Sequence, residues 1–295
     1  MRKAVIDLGT NTFNLLIVEV IEGKIHVLHN EKEGVALGMG GINVQMISPD
    51  ALNRAVNALK RFKDVCKNHN VTWIKAIGTS AIRDAKNAAD FLQIVKADAD
   101  IEIEIVSGPR EAELIYIGIA ASHEFDEHAL IMDIGGGSTE FISADKSGIL
   151  DVISLNIGVS RIFQLFDLSD PLNSSDVLKI EQWLDGNAGT FFNHRKENVL
   201  IGASGSFETF YELIHNEKFP EKNCSVEISI DYLHEILDQI INSSQVERDQ
   251  NEWIIPIRKR MAPIAAVKTR WVLKQIPATK IFISPYSLKE GVIFE

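Results

Sequence analysis

The first twenty residues divide into two apolar blocks, AVIDL and FNLLIVEV, joined by the polar turn GTNT. Short branched runs bounded by turn residues predict strands, here Ala4–Leu8 and Phe13–Val20. The alternation in KIHVLHNEKEGVAL predicts a third, so the chain opens as a β-meander. The period then changes. In SPDALNRAVNALKRFKDVCKNH, Leu52, Val56, Leu59, Phe62 and Val65 recur at helical steps. Ser48 is placed to cap that helix and Pro49 to begin it. WIKAIGT reads as a strand, SAIRDAKNAADFLQIVK as one helix, IEIEIVSG as a strand and REAELIYIGIAAS as a helix. Strands alternating with helices predict a mainly parallel sheet built onto the meander.

The scheme then restarts. ALIMDIGGGSTEFISAD is again strand, glycine turn, strand, and ILDVISLNIG supplies a third strand. NVLI reads as a further strand. DVLKIEQWLDGNAGTFF, SFETFYELI and DYLHEILDQIINS read as helices. IDLGTNT at 6–12 matches MDIGGGST at 132–139, with Asp7 against Asp133. This internal repeat predicts an α/β protein of two domains facing across a cleft. The polar stretch SHEFDEH marks the boundary, giving domains 1–124 and 125–295.

Length agrees with two domains, because 295 residues exceed the usual extent of one core. The charge balance is acidic, 30 basic against 41 acidic residues, which argues against a broad nucleic-acid surface. Cys66 and Cys224 are the two cysteines and form no CxxC pair, as expected of a chain in a reducing compartment. Asp7 interrupts the first apolar run, and no stretch reaches the length of a membrane span. A cytoplasmic protein without membrane contact is expected.

The two glycine turns carry the candidate chemistry. A phosphate needs N–H donors at close range, and glycine permits both the backbone geometry and the approach. Asp7, Gly9, Thr10 and Asn11 make one candidate cradle; Gly135, Gly136, Gly137, Ser138 and Thr139 make the other. Asp133 and Glu140 flank the second turn, where a hairpin would bring them together. Mg2+ commonly binds through one or two carboxylates, substrate phosphate and water, so this pair is the candidate metal site. GxxxxGK[ST], HExxH and GxSxG are all absent, and GMGGIN lacks the third glycine of a dinucleotide fingerprint. The histidines show no ligand spacing.

Taken in order, AVIDLGTNTFNLLI, GTSAIRDA, SGPREAELIYIG, MDIGGGSTEF and SLNIGVSRI resemble the exopolyphosphatase/guanosine pentaphosphate phosphatase (Ppx/GppA) family. The resemblance covers nearly the whole chain. It implies two actin-like ATPase (ribonuclease H-like) domains. It also implies Mg2+-dependent hydrolysis of a terminal phosphoanhydride in inorganic polyphosphate or guanosine pentaphosphate. By the same resemblance Glu111 is the general base, Arg83 contacts substrate phosphate, and Asp133 and Glu140 are associated with magnesium. GASGSFETF resembles the second phosphate loop, adding Gly205, and the family resemblance allows a homodimer.

These roles suit the chemistry. Phosphoanhydride hydrolysis needs a positioned water, a group to accept its proton and positive charge on the phosphoryl oxygens. The plainer alternatives are a first-turn acid favoured by the helix dipole for Glu111 and a pairing with Asp84 or Asp90 for Arg83. With Pro109 as the first helical residue, Gly108 would be the N-cap. The basic cluster IRKRMAPIAAVKTR reads as a solvated helix face. Pro109, Arg110, Pro285, Tyr286 and Lys289 depart from the family pattern and bear on substrate preference. The chain resembles the short form of the family, without its extra C-terminal helical region, which favours short polyphosphate or a nucleotide. A phosphotransferase and a non-catalytic alarmone or nucleotide sensor are the rival readings.

Overall fold

The computed structural model describes residues 1–21, 24–220 and 222–295. The first half holds β1 (Arg2–Leu8), β2 (Phe13–Ile21), β3 (Lys24–Glu33), α1 (Pro49–Asn68), β4 (Trp73–Gly78), α2 (Ser80–Arg83), α3 (Ala88–Ala99), β5 (Ile103–Ile105) and α4 (Gly108–Ala120). The second holds β6 (Ala129–Ile134), β7 (Thr139–Asp145), β8 (Gly148–Leu155), α5 (Val159–Leu165), α6 (Ser174–Ala188), β9 (Val199–Ala203) and α7 (Ser204–His215). It continues with β10 (Val226–Ile228), α8 (Ile230–Asn242), α9 (Gln245–Gln250), α10 (Ala262–Gln275), β11 (Lys280–Ile283) and α11 (Leu288–Phe294).

The strand orders are β3-β2-β1-β4-β5 and β10-β11-β9-β6-β7-β8. In each sheet the meander is antiparallel, and its first strand pairs parallel with the next strand of the chain, β1 with β4 and β6 with β9. The repeat read from the two turns is therefore a repeat of topology. The fold is the expected pair of actin-like α/β units.

Burial on both faces explains the unbroken apolar strands. Ala4, Ile6 and Leu8 face the core shared with α1 and α3, while Val5 faces a second core between the sheets. In β6, Leu130, Met132 and Ile134 face the core of the second half, and Ala129 and Ile131 the shared one. The middle layer is made by α4 and α11, through Leu114, Ile115 and Ile119 against Leu288, Val292 and Ile293. The last helix of the chain thus packs on the last helix of the first half. Its backbone comes so close that a Cβ on Gly291 would lie 1.8 Å from the Leu114 carbonyl oxygen, and one on Gly118 2.1 Å from that of Ser287.

Three local readings need correction. SAIRDAKNAADFLQIVK is two helices, because the Asn87 side chain binds both the N–H and the C=O of Ile47 at 2.9 Å and pulls the chain out of helix. The cap of α4 is Ser107, whose hydroxyl accepts the Arg110 N–H at 3.3 Å, so Gly108 is already helical. The basic segment at 257–270 is not a solvated face at Arg258, which lines the cleft, or at Lys268, which is fully buried.

Candidate active site

The cleft forms where the meander turns of the two sheets meet. Asp7 lies opposite Asn14 on β2, which lies opposite Lys32 on β3. In the second sheet Asp133 lies opposite Glu140, which lies opposite Ser154. The rungs Asp7–Asn14–Lys32 and Asp133–Glu140–Ser154 are equivalent positions of the repeat. Each aspartate is seven residues before its cross-strand partner. One rung gives a carboxylate held by an amide; the other gives two facing carboxylates.

The turns themselves interlock. A Cβ on Gly137 would sit 2.5 Å from Ser80 Oγ and 2.6 Å from Thr10 Oγ1, and one on Gly136 2.9 Å from the Asn11 amide carbon. Only glycine lets the turns approach this closely. The N–H groups of Val159, Ser160 and Gly158 bind the carbonyls of Gly135, Gly136 and Gly137 at 3.1, 2.8 and 3.2 Å, and Arg161 Nε also donates to Gly137 at 2.7 Å. With the carbonyls held from behind, the Gly136 and Gly137 N–H groups have no protein acceptor among the described residues. They remain available to an anion. Ser160 Oγ donates to Asn11 Oδ1 at 2.6 Å, fastening the first turn to the second half.

Around this cradle stand four carboxylates with raised pKa values. Burial lifts Asp7 to about 6, against the opposing Asn14 amide, which donates at 2.9 Å. Burial and then the Asp133 charge lift Glu140 to about 7, although Ser154 donates to it at 2.7 Å. Asp133 is raised by burial while accepting from Ser204 and Ser287, each at 2.7 Å. Glu111, 7% exposed, is pushed well up by burial and then by Glu140. Behind the turn the buried ammonium of Lys268 donates to Thr139 Oγ1 and the Ile157 carbonyl. Burial lowers its pKa to about 7, with Glu140 and Asp133 opposing. Lys289 opens on the cavity; burial works against its charge, but Glu290, Glu208 and Asp7 more than compensate and raise its pKa.

The cleft collects Asp7, Gly9, Thr10, Asn11, Glu111, Asp133, Gly135, Gly136, Gly137, Ser138, Glu140 and Gly205 on one cavity. Two of the expected residues have close protein partners of their own. Arg83 is not among the cavity-lining residues; it donates to Glu111 at 2.8 Å and to the Val106 carbonyl at 3.1 Å. It also stands 3.7 Å from Asp84. Its charge serves Glu111 in this conformation. Gly205 lies beneath the Arg258 guanidinium, which would collide with any Cβ there.

Sequence reasoning missed Lys32, Arg258, Glu208, Ser204 and Ser287 as cleft residues. Lys32 was legible in principle, because the meander register puts it on the rung of Asp7 and Asn14. The others come from later segments that only the fold brings back.

Among the described residues no group of three or more His, Cys, Asp or Glu is spaced to hold a metal. What is present is the facing Asp133–Glu140 pair beside Asp7, an all-oxygen donor set. That set suits Mg2+, which keeps several waters and needs few protein ligands.

A profile of the Ppx/GppA phosphatase family matches residues 16–295. The chain belongs to the Ppx/GppA phosphatase family. Its fold is close to that of an exopolyphosphatase from Cytophaga hutchinsonii, with a TM-score of 0.96 and 36% identity over 100% of this chain and 97% of that one. An Aquifex aeolicus Ppx/GppA enzyme, 23% identical, shares the fold with a TM-score of 0.81 over 100% and 99% of the two chains. A curated Ppx/GppA relative, the guanosine-5'-triphosphate,3'-diphosphate pyrophosphatase of Pseudoalteromonas atlantica, is 27% identical over 99% of this chain. The chain spans 58% of that relative's length. No described helix of this family member is long and apolar enough to cross a membrane.

Proposed function

We propose that this protein hydrolyses the terminal phosphoanhydride of inorganic polyphosphate or guanosine pentaphosphate, releasing phosphate in a Mg2+-dependent reaction. The observation that carries the reading is Glu111: a buried carboxylate, backed by Arg83, opening on the cavity that both glycine turns line. Family membership and the names of the Cytophaga and Pseudoalteromonas relatives support the same chemistry.

In this reading the terminal phosphoryl group lies on the Gly136 and Gly137 amides, with the Asn11 side chain beside it. Lys289 balances charge on its oxygens. Glu111 orients a water in line with the scissile bond and takes its proton as the new P–O bond forms. The bridging P–O bond breaks, and its electron pair leaves with the shortened chain or the nucleotide. Arg83 keeps Glu111 aimed and favours its ionised form. Asp133 and Glu140, oriented by Ser204, Ser287 and Ser154, are the residues that would hold magnesium. Bound there, the ion would supply positive charge to the phosphate oxygens.

The test is a phosphate-release panel of tripolyphosphate, long-chain polyphosphate, guanosine pentaphosphate and ATP, with magnesium or with EDTA. Release from polyphosphate or the pentaphosphate, lost with EDTA, is expected. Release from none, or transfer only to an added acceptor, would overturn the proposal.

A further inference from the structure

Lys32 is at the open edge of the first sheet, yet its ammonium crosses the cleft and pairs with Glu208 on α7 at 2.5 Å. Arg258 Nη2 stands 3.7 Å from the same carboxylate oxygen, while its Nη1 donates to Thr209 Oγ1 at 3.0 Å. Lys289 is the third cation acting on Glu208, whose pKa falls to about 2: burial opposes ionisation, and Lys32, Arg258 and Lys289 outweigh it. All four side chains line the cavity of the glycine turns. Glu208 also lies close enough to Asp133 to raise that carboxyl, so the cluster adjoins the cradle.

Lys32 and Arg258 flank one carboxylate, with Lys289, itself paired to Glu290 at 2.9 Å, acting on it from further off; that is more than a fastening between two halves requires. A single, partly exposed ion pair would serve, and such pairs contribute little. The arrangement is that of an anion site whose anion is supplied by the protein. A phosphoryl group offers the same oxygens with more charge and can take the same donors, bidentate to the guanidinium and pointwise to the ammonium groups.

We infer that Lys32, Arg258 and Lys289 form a subsite for the phosphoryl groups beyond the one attacked, and that Glu208 is its resident anion, which those groups must displace. The inference rests on the phosphate reading of the cleft. It makes Glu208 a specificity-determining residue: its carboxylate penalises chains that extend into the subsite, and Lys32 rewards them.

The experiment is calorimetric titration with tripolyphosphate in magnesium buffer, using wild type, Glu208→Gln, Lys32→Gln and Asp231→Asn. The last removes an exposed acid from the same half. Circular dichroism checks folding. Glu208→Gln should bind about tenfold tighter and Lys32→Gln about tenfold weaker, the scale of one charge-assisted contact. Asp231→Asn should match wild type. A Glu208→Gln affinity no tighter than wild type, or the same gain in Asp231→Asn, would sink the inference. Should Glu208→Gln fail to fold, Lys32→Gln decides: unchanged affinity overturns the subsite. All four proteins carry Glu111→Gln during the titrations, so that binding is read with turnover suppressed. Wild type that binds tripolyphosphate but releases no phosphate overturns the hydrolytic reading alone, and an unmoved Glu208→Gln overturns this one alone.

Discussion

Arg83 ends a four-residue helix and Glu111 lies in the first turn of α4, and the two are joined at 2.8 Å. Neither element touches the glycine turns in sequence, yet the pair puts one carboxylate on the cavity wall with a guanidinium behind it. Burial and the neighbouring Glu140 charge push the Glu111 proton on, and Arg83 pulls it off.

Glu111→Gln keeps the shape and removes the proposed base. Turnover should fall about 10²–10⁴-fold, the usual share of general-base catalysis, while phosphate binding by calorimetry changes little. Near wild-type phosphate release at saturating magnesium would show that Glu111 is not the base.

Arg83→Met should move the pH profile. Arg83 lowers the Glu111 pKa, so its loss raises it further, and the active carboxylate then forms only at higher pH. The acid limb of kcat/KM should shift upward, with Arg83→Lys in between. An unmoved limb would mean that Arg83 acts on substrate or structure instead.

Glu140→Gln tests the strain of the carboxylate cluster. The Glu140 pKa rises from 4.5 to about 7 on folding and that of Asp7 from 3.8 to about 6. Between the unfolded and folded values the native state binds more protons, so stability is full below the lower value and is lost as pH rises through the upper one. At pH 8 with EDTA, Glu140→Gln should therefore melt several degrees above wild type, at about 2–4 °C per kcal/mol. Near pH 4 the gain should vanish. Magnesium should raise the wild-type melting temperature at pH 8 and leave the variant nearly unmoved. A variant less stable than wild type at pH 8 would count against the cluster being strained.

Gly291→Ala should be costly at the α4–α11 crossing, because its Cβ would lie 1.8 Å from the Leu114 carbonyl oxygen. A loss of about 1–3 kcal/mol in urea unfolding is expected. Phosphate release should also fall, since Lys289 rides on α11. Gly186, inside α6 with nothing within 4 Å, is the control. Gly186→Ala should be neutral or stabilising by about 0.5–1 kcal/mol. Equal costs at both positions would refute the crossing argument.

The chain by itself determined what repeats locally. Alternation, helical spacing and the matched turns around Asp7 and Asp133 announced two meanders in two α/β units, because strand period and turn chemistry are short-range properties. The glycines of DIGGGST were legible for the same reason: phosphate approach and tight turns make the same local demand. Glu111 and Arg83 were named only through resemblance to the family; spacing alone left each its plainer alternative.

Tertiary structure decided everything that depends on return of the chain. Asn87 breaks a helix because Ile47 lies beside it. Lys268 is buried, not solvated, because α10 packs beneath the second glycine turn. Arg83 meets Glu111 and not the cavity because α2 and α4 converge at Val106. Lys32 meets Glu208, 176 residues away, only because the two sheets face one another. Side chains from distant segments become neighbours through the packing of both halves around α4 and α11, and no local period in the sequence records that.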